Sequence, residues 1–191
     1  MGTKTLITVA LCGVLAATGA QSEGGQGGER GGTETSEYDL TFNDLVTGSV
    51  SRDLDAVRVE CMAAARVYRL DCVRQGIDLT SRRIPFHGEY GQIREALRES
   101  EASFADIVDL NADRTQERMV VPPGTNPRFK ARRYYTPVAQ SGLDRAKTQA
   151  LGSLDQTEAR LLKTGDATGN ATKTYAAVSS ALAALADVMR R

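Results

Sequence analysis

Apolar positions recur along most of the chain at steps of three and four, the spacing of an amphipathic helix. The first long run lies at residues 51–76, where Leu54, Val57, Cys61, Ala65, Tyr68 and Cys72 form one stripe and Arg58, Arg66, Arg69 and Arg74 lie off it. Ser51 is the expected N-cap, Asp53 and Asp55 suit the positive end of the helix dipole, and Gly76 is the expected stop. A shorter segment precedes it, in which Thr41 caps a lead-in helix that Gly48 ends. A second long helix is predicted over 91–118, with Ile93, Leu97, Ser100, Phe104, Ile107 and Asn111 on its stripe; two polar members weaken that seam. Thr136 and Pro137 open a third helix that runs to about residue 164, carrying Leu143, Ala146, Ala150, Leu154, Thr157 and Leu161. The last, over 171–190, places Tyr175, Val178, Leu182, Leu185 and Met189 in the regular alternation of a coiled coil.

These segments predict an all-α protein: an antiparallel four-helix bundle with a short N-terminal lead-in helix. No run shows the alternation of a strand. Two connections stand out. Residues 77–90 contain Pro85, Gly88 and the one histidine, His87, whereas residues 119–137 contain four prolines and exceed the usual length of a bundle connection.

The N-terminal residues set the expected compartment. Lys4 precedes an apolar run from Leu6 to Ala17, and Thr18, Gly19 and Ala20 supply the small residues of a cleavage site, so residues 1–20 are read as a signal peptide. The run is too short to span a membrane, which takes about 20 residues, so no transmembrane span is expected after its removal. The localisation expected is periplasmic or secreted; the rival is a lipoprotein acylated at Cys12, against which Leu11 stands where such signals carry a small residue. Residues 21–37 hold six of the 18 glycines and no large apolar side chain, the composition of a disordered linker. The folded domain is then 38–191.

Composition removes several classes of function. A formal net charge of zero gives no general attraction to nucleic acid, and none is expected as a partner. With no Trp and 5% aromatic residues, the core must be built from Ala, Leu, Val and Ile. A single histidine excludes the di-iron chemistry of some helical bundles, and no nucleophile motif or phosphate loop is present. No catalytic residue, metal site or cofactor is assigned: His87 beside Glu89 lacks supporting roles.

Export suggests a disulfide between Cys61 and Cys72. Eleven residues along a continuous helix rise about 16 Å, however, against the roughly 4.4–6.8 Å that a bridge allows between Cα atoms, and the three alanines between the cysteines favour helix. The expectation is therefore two buried free thiols, with intermolecular bridging as the alternative. Asp106, Asp109, Asp113 and Glu117 share one face of the second helix and are expected to pair with Arg58, Arg66 or Arg69. Asn170 and Thr172 match a glycosylation acceptor.

The candidate contact surface is the proline-rich loop. Arg128, Lys130, Arg132, Arg133, Tyr134 and Tyr135 interleave cations with aromatics, a pattern suited to an anionic surface or a cell-envelope protein. The function expected is an exported, non-enzymatic bundle acting by binding or scaffolding. The alternative is a carrier or enzyme that takes a small anionic ligand into a bundle cavity under the 119–137 loop, and a homodimer through the last helix is a further expectation.

Overall fold

A computed structural model describes residues 41–167 and 171–191. Residues 1–20, expected to be a signal peptide, with Cys12 among them, residues 21–37, expected to be a linker, and Asn170 lie outside the described residues. The described chain is mostly helical. In order it forms α1 (Asp44–Ala63), α2 (Arg69–Arg83), α3 (Gly91–Asn111), strands β1 (Met119–Val121) and β2 (Arg133–Tyr135), then α4 (Leu143–Ala167), α5 (Thr172–Ala183) and α6 (Ala186–Arg190). Single 3-10 turns precede α2, α3 and α4.

The lead-in helix and the first half of the predicted long helix are one element. Asn43 is the N-cap, its side chain accepting a hydrogen bond from the backbone N–H of Val46 at 2.9 Å. The helix passes through Gly48 and Ser51 without interruption. An interior glycine costs only about 1 kcal/mol, less than the burial of Val50, Leu54 and Val57 returns, since each is at most 3% exposed.

The expectation of one continuous helix from Ser51 to Gly76 is wrong. Ala64 and Ala65 are extended, at ψ 150° and 146°, and a 3-10 turn at Arg66–Tyr68 sends the chain back. Cys61 and Cys72 form a disulfide with their Cα atoms 5.6 Å apart, which also removes the free-thiol and intermolecular readings. Arg69 supports the corner from the side-chain level. Its guanidinium donates to the carbonyls of Ala64 at 3.0 Å and Met62 at 3.2 Å, the orphan acceptors left by the end of α1. A third bond reaches the Val188 carbonyl at 3.4 Å and so links the corner to α6.

Gly76, expected as a stop, lies inside α2 at its contact with α1. A Cβ there would come within 2.3 Å of Val57 Cγ1, and Val57 is itself buried. We therefore expect Gly76→Ala to destabilise the protein by about 1–3 kcal/mol, the usual cost of overpacking, as measured by urea denaturation. An unchanged midpoint would show that α1 and α2 can separate freely.

Each long helix packs against the next, and α1 also packs against α5. The core runs through this arrangement, with Leu54, Leu70, Ile77, Ile93, Phe104, Leu154, Leu161 and Leu182 fully buried. The seam of the last helical segment, Tyr175, Val178, Leu182, Leu185 and Met189, is 0–2% exposed and so is covered by this chain's own helices. The segment itself breaks between α5 and α6. Among the described residues, no helix is long and apolar enough to cross a membrane.

The proline-rich connection contains the strands that periodicity did not reveal. β1 and β2 pair antiparallel, with Met119 opposite Tyr135, Val120 opposite Tyr134 and Val121 opposite Arg133. Directly opposed residues share a face. Val121, Arg133 and Tyr135 are buried on one side, while Val120 and Tyr134 are exposed on the other.

Candidate functional site

The 119–137 loop is held on the helices by three carboxylates, Asp53 and Glu60 from α1 and Asp71 from α2. Asp53 and Asp71 are each 1% exposed. A buried carboxylate has to be matched by charge and hydrogen bonds, and here the loop supplies most of the match.

Asp53 accepts from Arg128 Nε and, at 3.2 Å, pairs with Arg83. Arg128 Nη2 also donates to Ser49 Oγ at 2.8 Å, and Arg83 Nη1 donates to the Arg128 carbonyl at 3.1 Å. Asn126, 2% exposed, donates to the Ala56 carbonyl at 3.1 Å and to Glu60 Oε2 at 2.8 Å, while its own Oδ1 accepts from the Arg128 N–H. That short turn fixes the loop's tip.

Glu60 is the centre of the arrangement. Its Oε1 accepts from Arg133 Nη2 and from the Tyr135 hydroxyl, each at 2.6 Å. Arg133 is 6% exposed and its Nε has no hydrogen-bond partner; the guanidinium lies 5.9 Å from the centre of the buried Phe129 ring. Burial pushes the Tyr135 phenol well above its ordinary pKa, and the hydrogen bond to Glu60 adds to the shift. Tyr135 therefore stays a neutral donor. Asp71 accepts the backbone N–H of Thr136 at 2.7 Å and Gln75 Nε2 at 3.0 Å, and pairs with Arg74 at 2.6 Å. Gln75 also donates to the Tyr134 carbonyl.

The six residues expected to form a contact surface thus divide. Arg128, Arg133 and Tyr135 turn inward and bind carboxylates of the scaffold. Lys130, Arg132 and Tyr134 are exposed. Among the described residues, neither Lys130 nor Arg132 makes a hydrogen bond or ion pair, and Arg118 lies over the Tyr134 ring at 5.6 Å. A small cavity of about 170 Å³ lies beside β1, with Glu60, Ala63, Val121 and Tyr135 among its lining.

The expected partners of the acidic face are corrected. α3 ends at Asn111, so Asp113 and Glu117 lie beyond it. Asp113 instead accepts from the Thr115 hydroxyl and N–H, which hold its carboxyl below the ordinary range. Arg58 pairs with Asp55 and Arg69 with backbone carbonyls. His87 is exposed, its ring 3.5 Å from that of Phe86, while Glu89 accepts the Phe42 N–H at 2.8 Å.

Sequence reasoning missed the carboxylates. Asp53, Val57 and Glu60 lie four and three apart, so both acids sit on the buried side of α1. Charged residues in register with an apolar stripe were the available signal. Against family models, curated proteins and solved structures, the chain matches nothing.

Proposed function

We propose that this chain is an exported, non-enzymatic binding or scaffolding protein of the periplasm or cell envelope, which presents the 119–137 loop to a partner. The observation that carries the reading is the pinned loop. Its inward cations are neutralised by Asp53 and Glu60, so Lys130, Arg132 and Tyr134 stand outward on a backbone that has little freedom left to lose on binding. The buried Cys61–Cys72 bridge supports the compartment, because such bonds persist where the surroundings are oxidising. In this proposal α2, α3, α4 and α5 are the staves of an antiparallel four-helix bundle, and α1, tied to α2, fills the seam between α2 and α5.

The partner would present negative charge, as an anionic lipid surface or an acidic patch on an envelope protein. Each exposed cation near an anionic membrane contributes on the order of 1 kcal/mol. The double variant Lys130→Glu/Arg132→Glu is therefore expected to weaken sedimentation with phosphatidylglycerol vesicles, or crosslinking to an envelope protein, at least tenfold. Because both residues are exposed and without internal partners, stability should change by less than about 0.5 kcal/mol. Unchanged recovery in both assays would remove the loop as the contact surface.

A further inference from the structure

The two edges of the β1–β2 ribbon are not alike. On the β2 edge, the Tyr134 carbonyl accepts from Gln75 Nε2 and Arg118 Nη2, each at 2.8 Å, and the Thr136 N–H donates to Asp71 at 2.7 Å. Tyr134 and Thr136 therefore turn their backbone groups towards α2 and away from β1. Opposed residues of an antiparallel pair alternate between exchanging both backbone bonds and exchanging none, so Met119–Tyr135 and Val121–Arg133 carry the ladder. Val120, opposite Tyr134, makes no ladder bond, and its N–H and C=O point out of the free edge of β1. Among the described residues neither group has a partner, and Val120 is 54% exposed.

Such an edge can accept a further strand, and its surroundings decide which kind. The cavity of about 170 Å³ beside β1 is lined by Ala63 and Ala64 at the end of α1 and by Met119, Val121 and Tyr135. Tyr135 and Glu60 in its wall place it on the buried side of the ribbon, and Glu60 is already taken up by Arg133, Tyr135 and Asn126. What remains is apolar. In a strand added at Val120, the opposing residue shares the outward face and its two neighbours turn to the other, where the cavity can take a side chain of valine or leucine size. The exposed charges around the ribbon are mostly positive: over residues 114–135 they are Arg114, Arg118, Lys130 and Arg132, with Glu117 as the one acid.

We propose that the free edge of β1 binds an extended acidic segment of an envelope protein as a third strand. Val120 supplies one backbone donor and one acceptor, the cavity takes an apolar side chain beside the paired residue, and the cations attract carboxylates at the outward positions. Main-chain bonds give such strand addition its affinity, and pockets for alternate side chains give it specificity. A lipid surface answers the cations but leaves the cavity and the paired backbone groups unused. The inference rests on the 119–137 loop being the contact surface, as proposed above, and names the form its partner takes.

The probe is the peptide acetyl-Glu-Val-Tyr-Val-Glu-amide, titrated into the isotope-labelled chain and followed by amide NMR. Saturable shifts are expected at Ala63, Ala64 and Val120, with a dissociation constant on the order of 1 mM for a segment of this size. Val120→Pro removes the donor where an edge strand tolerates proline, so the fold should survive while binding weakens at least about tenfold. Val120→Thr keeps the N–H and should bind like the wild type. The same peptide N-methylated at its three central residues lacks the donors for the Val120 carbonyl and should not bind the unaltered chain, which tests the pairing without any variant. Absence of saturable shifts, or undiminished affinity for the N-methylated peptide or in Val120→Pro, would overturn the inference. The contact surface itself fails separately, through the Lys130→Glu/Arg132→Glu assays above. Vesicle binding retained in Val120→Pro, with no peptide binding to the wild type, would leave that surface to lipid and remove the added strand.

Discussion

Replacing Glu60 with Ala is expected to lower the stability of the folded domain by about 3–5 kcal/mol. That is the cost of leaving a buried charge without its partner. A single lost hydrogen bond is worth about 1 kcal/mol, so the loss is dominated by Arg133, which is 6% exposed and has no other ion pair. The Tyr135 hydroxyl and the Asn126 amide lose an acceptor in the same step. Urea denaturation measures the effect, and limited proteolysis should show early cleavage within residues 119–137, since the loop would lose its central anchor. The double variant Glu60→Leu/Arg133→Met separates charge from packing. It removes both charges, keeps the volume, and is expected to recover most of the stability. A loss below about 1 kcal/mol in Glu60→Ala would mean that water reaches Arg133 and that the loop is not pinned in this way.

The second large effect concerns the corner between α1 and α2. Converting Cys61 and Cys72 together to Ala should cost about 3 kcal/mol, the usual worth of a bridge that closes a loop of this length; the two cysteines are 11 residues apart. For a domain of this size that corresponds to a fall in Tm of roughly 6–12 °C, readable by calorimetry under oxidising conditions. The same variant should change little if both conditions and protein are reduced beforehand, because the wild type then lacks the bond as well. Equal melting temperatures of oxidised wild type and double variant would show that the bridge adds nothing to the folded state.

Much of the fold was legible because helical periodicity is a repeated signal. The stripes around Ile93–Phe104, Leu143–Leu161 and Tyr175–Met189 all became buried faces. The corner at Ala64 was hidden for an energetic reason. Helix propensity distinguishes alanine from ordinary residues by at most about 0.7 kcal/mol each, so three alanines cannot hold a helix straight against a disulfide, the three bonds of Arg69 and the burial of Leu70, Val73 and Ile77. These are all non-local, and spacing along the chain does not contain them. The strands were hidden by their length: three residues each are too few for an alternation to be seen.

The loop was found by its composition, but its division was not. Arg128 and Lys130 look equivalent in sequence. Only the placement of Asp53 decides that one is an internal tie and the other a free surface charge. The polar members of the α3 stripe, Ser100 and Asn111, were visible as weaknesses of a seam; that Asn111 donates back to the Ile107 carbonyl was not.

The most direct measurement is alkylation without prior reduction, performed on the chain expressed in a bacterium from its own Met1 and recovered by cell fractionation. The expected result is protein in the envelope or periplasmic fraction, shortened near Ala20, with Cys61 and Cys72 unmodified and their tryptic peptides linked. Full-length protein in the cytoplasm, with both cysteines alkylated, would contradict both the corner and the compartment.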